Sequence, residues 1–101
     1  MIFIYTTSTT AEKAKELAET LVQRKWASAV NFWPTQSVYS ARGEAKEGEG
    51  VVLFIRTLEK HLQDIEDFIT ASHIGGIPCV AAVNVYRINR PYKEQIMTHI
   101  G

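Results

Sequence analysis

The sequence carries a single cysteine, Cys79, among 101 residues. That count excludes an internal disulfide framework and every zinc motif built on paired cysteines, and it fits a reducing compartment. Charge of one sign is also lacking, since eleven Lys and Arg offset eleven Asp and Glu. No chain-wide field therefore draws the protein to nucleic acid or to anionic lipid. No two of the three histidines stand at a helical metal-binding spacing, and neither a phosphate-cradling glycine loop nor a nucleophile elbow occurs. These absences predict a protein that is not an enzyme. Long apolar runs are missing as well. The opening stretch MIFIYTTSTTAEK has no basic lead and turns polar after four or five apolar residues, unlike a secretory signal or a membrane span. It predicts a cytoplasmic protein with no membrane partner.

What is present is ordinary for a globular chain, with 46% apolar and 22% charged residues, and the length predicts one domain over residues 1–101. Ile2 to Thr6 reads as a strand with Ile2 and Ile4 on one side and Phe3 and Tyr5 on the other. Thr9 and Glu12 form the pattern of a capping box. The helix they open has its buried stripe on Ala14, Leu17, Ala18, Leu21 and Val22 and ends near Lys25. Ala27 to Thr57 then reads as two long strands folded back on each other, ASAVNFWPTQSVYSAR and EGVVLFIRT, with Gly43, Gly48 and Gly50 in the reversal. Pro34 cannot donate to a ladder and predicts a bulge, a bend or an edge position.

Thr57 is the expected N-cap of a second helix, whose stripe is Leu58, Leu62, Ile65, Ile69 and Ser72, with Phe68 beside it. Gly75-Gly76 ends that helix. Cys79 to Ile88 reads as a long strand, apolar on both faces, which makes Cys79 a small buried hydrophobe. Asn89-Arg90-Pro91 opens a short terminal helix docked through Tyr92, Ile96 and Ile100.

The order β-α-β-β-α-β predicts an α+β, ferredoxin-like antiparallel sheet with both main helices on one face, followed by a short C-terminal helix. Two helices cover one face only. Phe3, Tyr5, Val52 and Phe54 point to the other, and each large apolar side chain left wet forgoes roughly 1.5–3 kcal/mol. Such a patch predicts a homo-oligomer, with Trp26 and Trp33 as anchors of the interface. RNA-recognition modules share this topology, but Arg42-Gly43 is followed here by Glu44-Ala45-Lys46 rather than by aromatic residues, so nucleic acid is not an expected partner. Glu44, Glu47 and Glu49 read as a solvated hairpin tip.

The segments Ala27-Ser28-Ala29-Val30-Asn31, Ser37-Val38-Tyr39, Gly43-Glu44 and Arg56-Thr57, and then His73 with Pro78, come in an order and spacing that resembles the CutA divalent-cation tolerance family over nearly the whole chain. The resemblance implies a homotrimer with its sheets packed together, similar to the PII signalling proteins, and a role in tolerance of divalent metal ions. It also implies a site for copper or another divalent metal ion. At that site His73 is retained, Ala29 stands where the family has a cysteine, and Gly75, Gly76 and Cys79 replace its tyrosine and two glutamates. Ala41 takes the place of a tryptophan. Cys79, near His73, offers a soft ligand for Cu(I) or zinc, while His73 read by position alone is a histidine favoured at a helix C-terminus. Asn31, Tyr39 and Arg56 match the family pattern and form a candidate pocket between subunits for a small-molecule ligand. The alternative is a PII-like regulator that binds a small anionic metabolite at subunit clefts and signals to a protein partner. Arg42, Arg56, Arg87 and Arg90 supply the guanidinium groups for it.

Overall fold

A computed structural model describes residues 1–101. Strand β1 (Ile2–Ser8) is rich in β-branched and aromatic residues and is paired on both sides. One neighbour is β3 (Glu44–Thr57), with Ile4 opposite Ile55 and Thr6 opposite Leu53; the other is β4 (Ala81–Asn84). The outer strand β2 (Ala27–Ala41) pairs with β3, so the antiparallel sheet runs β2-β3-β1-β4. Between these strands lie α1 (Ala11–Gln23) and α2 (Leu62–Ser72), and α3 (Arg90–Ile100) closes the chain. This is the expected ferredoxin-like order.

Period-2 alternation puts Ile2 and Ile4 of β1 and Val51, Leu53 and Ile55 of β3 on one face. There they form a single core with Ala14 and Leu21 of α1 and Ile65 and Ile69 of α2. Both main helices therefore cover the same side. On the opposite face Phe3 packs edge-on against Phe54, with ring centroids 4.7 Å apart, and Val52 is buried within the chain. The uncovered apolar surface is thus smaller than alternation alone predicts. It is carried by Tyr5 (36% exposed), Trp33 (45%) and Val83 (51%).

Several local expectations are corrected. The N-cap of α1 is Thr10, whose hydroxyl accepts from the Lys13 amide at 3.1 Å. Three residues after Thr10 stands a lysine, so the Thr9–Glu12 box does not form. The helix ends at Gln23, and Lys25 reverses the chain with φ of 59°. The reversal between β2 and β3 is only Arg42-Gly43. Both residues have positive φ, 53° and 79°, as a two-residue type I′ hairpin turn requires. Gly48 and Gly50 lie within β3 instead: the Tyr39 ring covers the first, and the Ser8 carbonyl approaches the second. Pro34 takes the edge position, one of the three outcomes expected for it, and sits opposite Val51 without a register break. The bulge falls earlier, at Ser28, between the pairs Ala27–Thr57 and Ala29–Arg56.

Thr57 does not cap α2. It ends β3, fully buried, and its hydroxyl donates to the Trp26 carbonyl. A 3₁₀ turn, Glu59–His61, precedes α2. Trp26 is packed within the chain against the core, edge-on to Phe68, with the Arg24 guanidinium stacked on both rings. It is not a free anchor. The long strand expected over Cys79–Ile88 shrinks to Ala81–Asn84, all four residues exposed, and Cys79 is exposed too. β4 pairs along Ile2–Tyr5 and has no second neighbour. Past Val85, which donates to the Met1 carbonyl, the chain has run beyond β1, so the strand propensity of Tyr86–Ile88 has nothing to pair with. The terminal helix docks as expected through Ile96 and Ile100, with Tyr92 half-buried.

Thr6 and Thr57 are both fully buried, but only Thr57 has a partner; the Thr6 hydroxyl has none. Valine replaces threonine with little change of shape. Thr57→Val leaves the Trp26 carbonyl orphaned and is expected to cost about 1–3 kcal/mol in urea denaturation. Thr6→Val removes an unpaired buried hydroxyl and is expected to raise stability instead.

Candidate functional site

The best-defined polar constellation lies on the sheet face opposite α1 and α2. Arg56, at the end of β3, reaches it by alternation from Val52 and Phe54, and the Ser28 bulge brings Asn31 of β2 to the same side. The Arg56 guanidinium donates from Nη2 to Asn31 Oδ1 at 2.7 Å and from Nη1 to the Tyr92 hydroxyl at 2.7 Å. It also lies over the Tyr92 ring, 5.7 Å from its centroid. Both hydrogen-bond partners are neutral. The ion pairs within the chain, Lys15–Glu19 and Lys46–Glu44, are elsewhere, so Arg56 is half-buried without a counter-charge.

Of the three candidate pocket residues, Asn31 and Arg56 are brought together and Tyr39 is not. Tyr39 pairs with Lys46 on the part of the hairpin that runs past β1. It stands eight residues along β2 from Asn31, roughly 26 Å at the rise of a strand. Tyr92 takes the place in the cluster that Tyr39 was expected to fill. From sequence it is a docking residue of a terminal helix, and the need of a half-buried phenol for a hydrogen-bond partner was the only available signal of its second role.

His73 is half-buried at the C-terminal end of α2. It lines a cleft of about 280 Å³ between the two main helices, beside Thr7, Ser8, Thr9, Lys13 and Glu16, over an apolar floor that includes Leu17 and Phe68. Cys79 follows the left-handed Gly75-Gly76 pair and the turn at Pro78, and does not line the cleft. Ala29 is opposite Arg56 and next to the beginning of β1, whereas His73 meets its end at Thr7–Thr9. The two positions are thus on different faces and at different ends of the sheet. No three His, Cys, Asp or Glu side chains gather into a set able to hold a metal ion. The donors within one chain do not fit a closed metal site, since His73 and Cys79 supply two ligands where four are usual for zinc. No helix is long and apolar enough to cross a membrane.

These features define an α+β chain whose four-stranded antiparallel sheet carries helices on one face and a neutral-clamped arginine on the other. The family model described as CutA1 divalent ion tolerance protein matches residues 2–99, and the chain belongs to that family. It is 27% identical over 85 residues to the divalent-cation tolerance protein CutA of Archaeoglobus fulgidus, an alignment spanning 84% of this chain and 83% of that protein. It is 32% identical over 94 residues to the chloroplastic CutA of Arabidopsis thaliana, where it covers 92% of this chain and 52% of the longer plant protein. The solved structure of the A. fulgidus protein, described as a periplasmic divalent cation tolerance protein, superposes with a TM-score of 0.94 over the whole of both chains at 24% identity. At that identity the match speaks for the fold.

The Arg56 clamp is open to direct measurement. Tyr92→Phe removes one hydrogen bond to a charged donor and is expected to cost about 1.5 kcal/mol. The same change in an Arg56→Met background should cost almost nothing in urea unfolding, since the partner is already gone.

Proposed function

We propose that the chain acts as a homotrimer in the divalent-cation tolerance function of its family, in the cytoplasm, as a binding protein without catalysis. The observation that carries the assembly is the apolar surface left on the face away from α1 and α2. Tyr5, Trp33 and Val83 spread across β1, β2 and β4, and burying them against other copies recovers the roughly 1.5–3 kcal/mol that each large apolar residue forgoes in water. The short, exposed β4 leaves an edge with unpaired backbone groups, a feature that folded proteins generally cover. The number three comes from family resemblance, and the exposed thiol of Cys79 fits a reducing setting.

Metal coordination in this chain is altered relative to the family pattern. Ala29, Gly75 and Gly76 offer no donor side chains, and His73 and Cys79 are two donors at most. A coordination sphere has to draw on more than one copy of the chain, with His73 as the retained ligand and Cys79 as a soft addition suited to Cu(I) or zinc.

Two measurements test this reading. Size-exclusion chromatography with light scattering at micromolar concentration should return three times the 11.4 kDa of one chain, and Val83→Glu or Trp33→Lys should shift it toward one; a wild-type monomer sinks the assembly. Calorimetric titration with Cu(I), Cu(II) and Zn(II) should show binding that His73→Ala removes. Unchanged binding in that variant, or none tighter than millimolar in the wild type, sinks the metal role.

A further inference from the structure

Arg56 sits in an unusual setting for a charged side chain. Its cross-strand neighbours are Phe3 on one side and Ala29 on the other, and the Phe3–Phe54 ring pair stands next to it on the same face. None of these side chains accepts a hydrogen bond. Only two of the five N–H groups of a guanidinium are engaged, both by neutral oxygens at 2.7 Å. A charge removed partly from water with no partner of opposite sign is costly. The Asn31 and Tyr92 contacts hold the planar group in one orientation without neutralising it, which lowers the ordering cost for whatever binds the remaining N–H groups.

We propose that Arg56, clamped by Asn31 and Tyr92, is a receptor for a small organic carboxylate with an apolar body. The carboxylate takes the free N–H groups of the guanidinium in the fork geometry that matches it, and the apolar body lies against Phe3 and Phe54. This site is separate from His73 and Cys79, and binding there needs no metal. It lies on the same sheet face as the assembly proposed above, but Asn31, Arg56 and Tyr92 all come from one chain, so the clamp itself needs no second copy.

Benzoate is a suitable probe, with benzamide as its uncharged isostere and inorganic phosphate as an oxyanion without an apolar body. Calorimetry and thermal shift on the full chain should show benzoate binding in the millimolar range or tighter and no response to benzamide. Arg56→Gln should abolish binding, and Arg56→Lys, which keeps the charge but not the fork, should weaken it by about tenfold or more. Circular dichroism on each variant establishes that it is folded; if Arg56→Gln is not, the Arg56→Lys comparison decides. Benzoate affinity that is equal in wild type and Arg56→Lys, or absent in wild type, overturns the proposal. Phosphate binding as tight as benzoate overturns the assignment to an organic carboxylate. Light scattering on the same samples separates the two proposals, because a monomeric wild type that still binds benzoate refutes only the assembly. A wild type that ignores benzoate, with Arg56→Gln dissociating the oligomer, places the counter-charge on another copy of the chain and also overturns the ligand proposal.

Discussion

The pairing of β1 with β3 is the interaction on which the rest of the molecule depends. Ile2–Tyr5 of β1 and residues 51–55 of β3 are apolar on both sides, and their register sets which residues meet which layer. Ile4 opposite Ile55 and Thr6 opposite Leu53 give α1 and α2 a continuous floor. The same register puts Phe3 beside Arg56 on the reverse side. Two short amphipathic helices can cover only one face of such a ribbon. The remaining face is therefore settled by a mixture of devices: a ring pair at Phe3 and Phe54, inward packing of Val52, the Arg56 clamp, and apolar surface left for another chain.

The elements that were legible from sequence are those with long periodic patterns. The buried stripe of α1 and the alternation of β1 and β3 are properties of a dozen or so neighbouring residues, and the order of elements then constrains topology. What was not legible turned on single contacts or on missing partners. Thr57 has the chemistry of an N-cap, yet its hydroxyl found the Trp26 carbonyl, 31 residues away in sequence. Gly48 and Gly50 look like turn residues because nothing local reveals that Tyr39 and the Ser8 carbonyl will close over them. Cys79 to Ile88 has the composition of a strand, but beyond Val85 no backbone runs alongside it. In the candidate site Asn31 and Arg56 were found through resemblance. The contact of Arg56 with Tyr92 joins residues 36 apart in sequence and leaves no trace in local pattern.

The two ends of the sheet have different chemistry. Where β1 begins, a cation is held by neutral groups on the face away from the helices. Where β1 ends, His73 and Lys13 border a cleft between the helices, with hydroxyls from Thr7, Ser8 and Thr9. Ala29 offers no donor side chain at the first end, and Gly75 and Gly76 offer none near the second. The fold is kept at a TM-score of 0.94 to a relative of only 24% identity, because packing asks for apolar side chains at the right period, whereas a ligand sphere asks for particular atoms at particular points.

The bulge at Ser28 has a consequence for how β2 can change over time. Side chains on a strand alternate strictly, so one additional residue works as a phase shift for everything downstream. If Ser28 instead took a regular place in the ladder, Asn31 would turn into the helix-covered core and Val30 would turn out beside Arg56, and the inversion would run to Pro34 and beyond. Point substitutions along this strand adjust one contact at a time. Loss of Ser28 itself would only remove the bulge and keep every pairing from Ala29 onward, whereas loss or gain of a residue within 29–34 would exchange the two surfaces of the strand beyond it, so the bulge is a point where this strand can absorb a change in length.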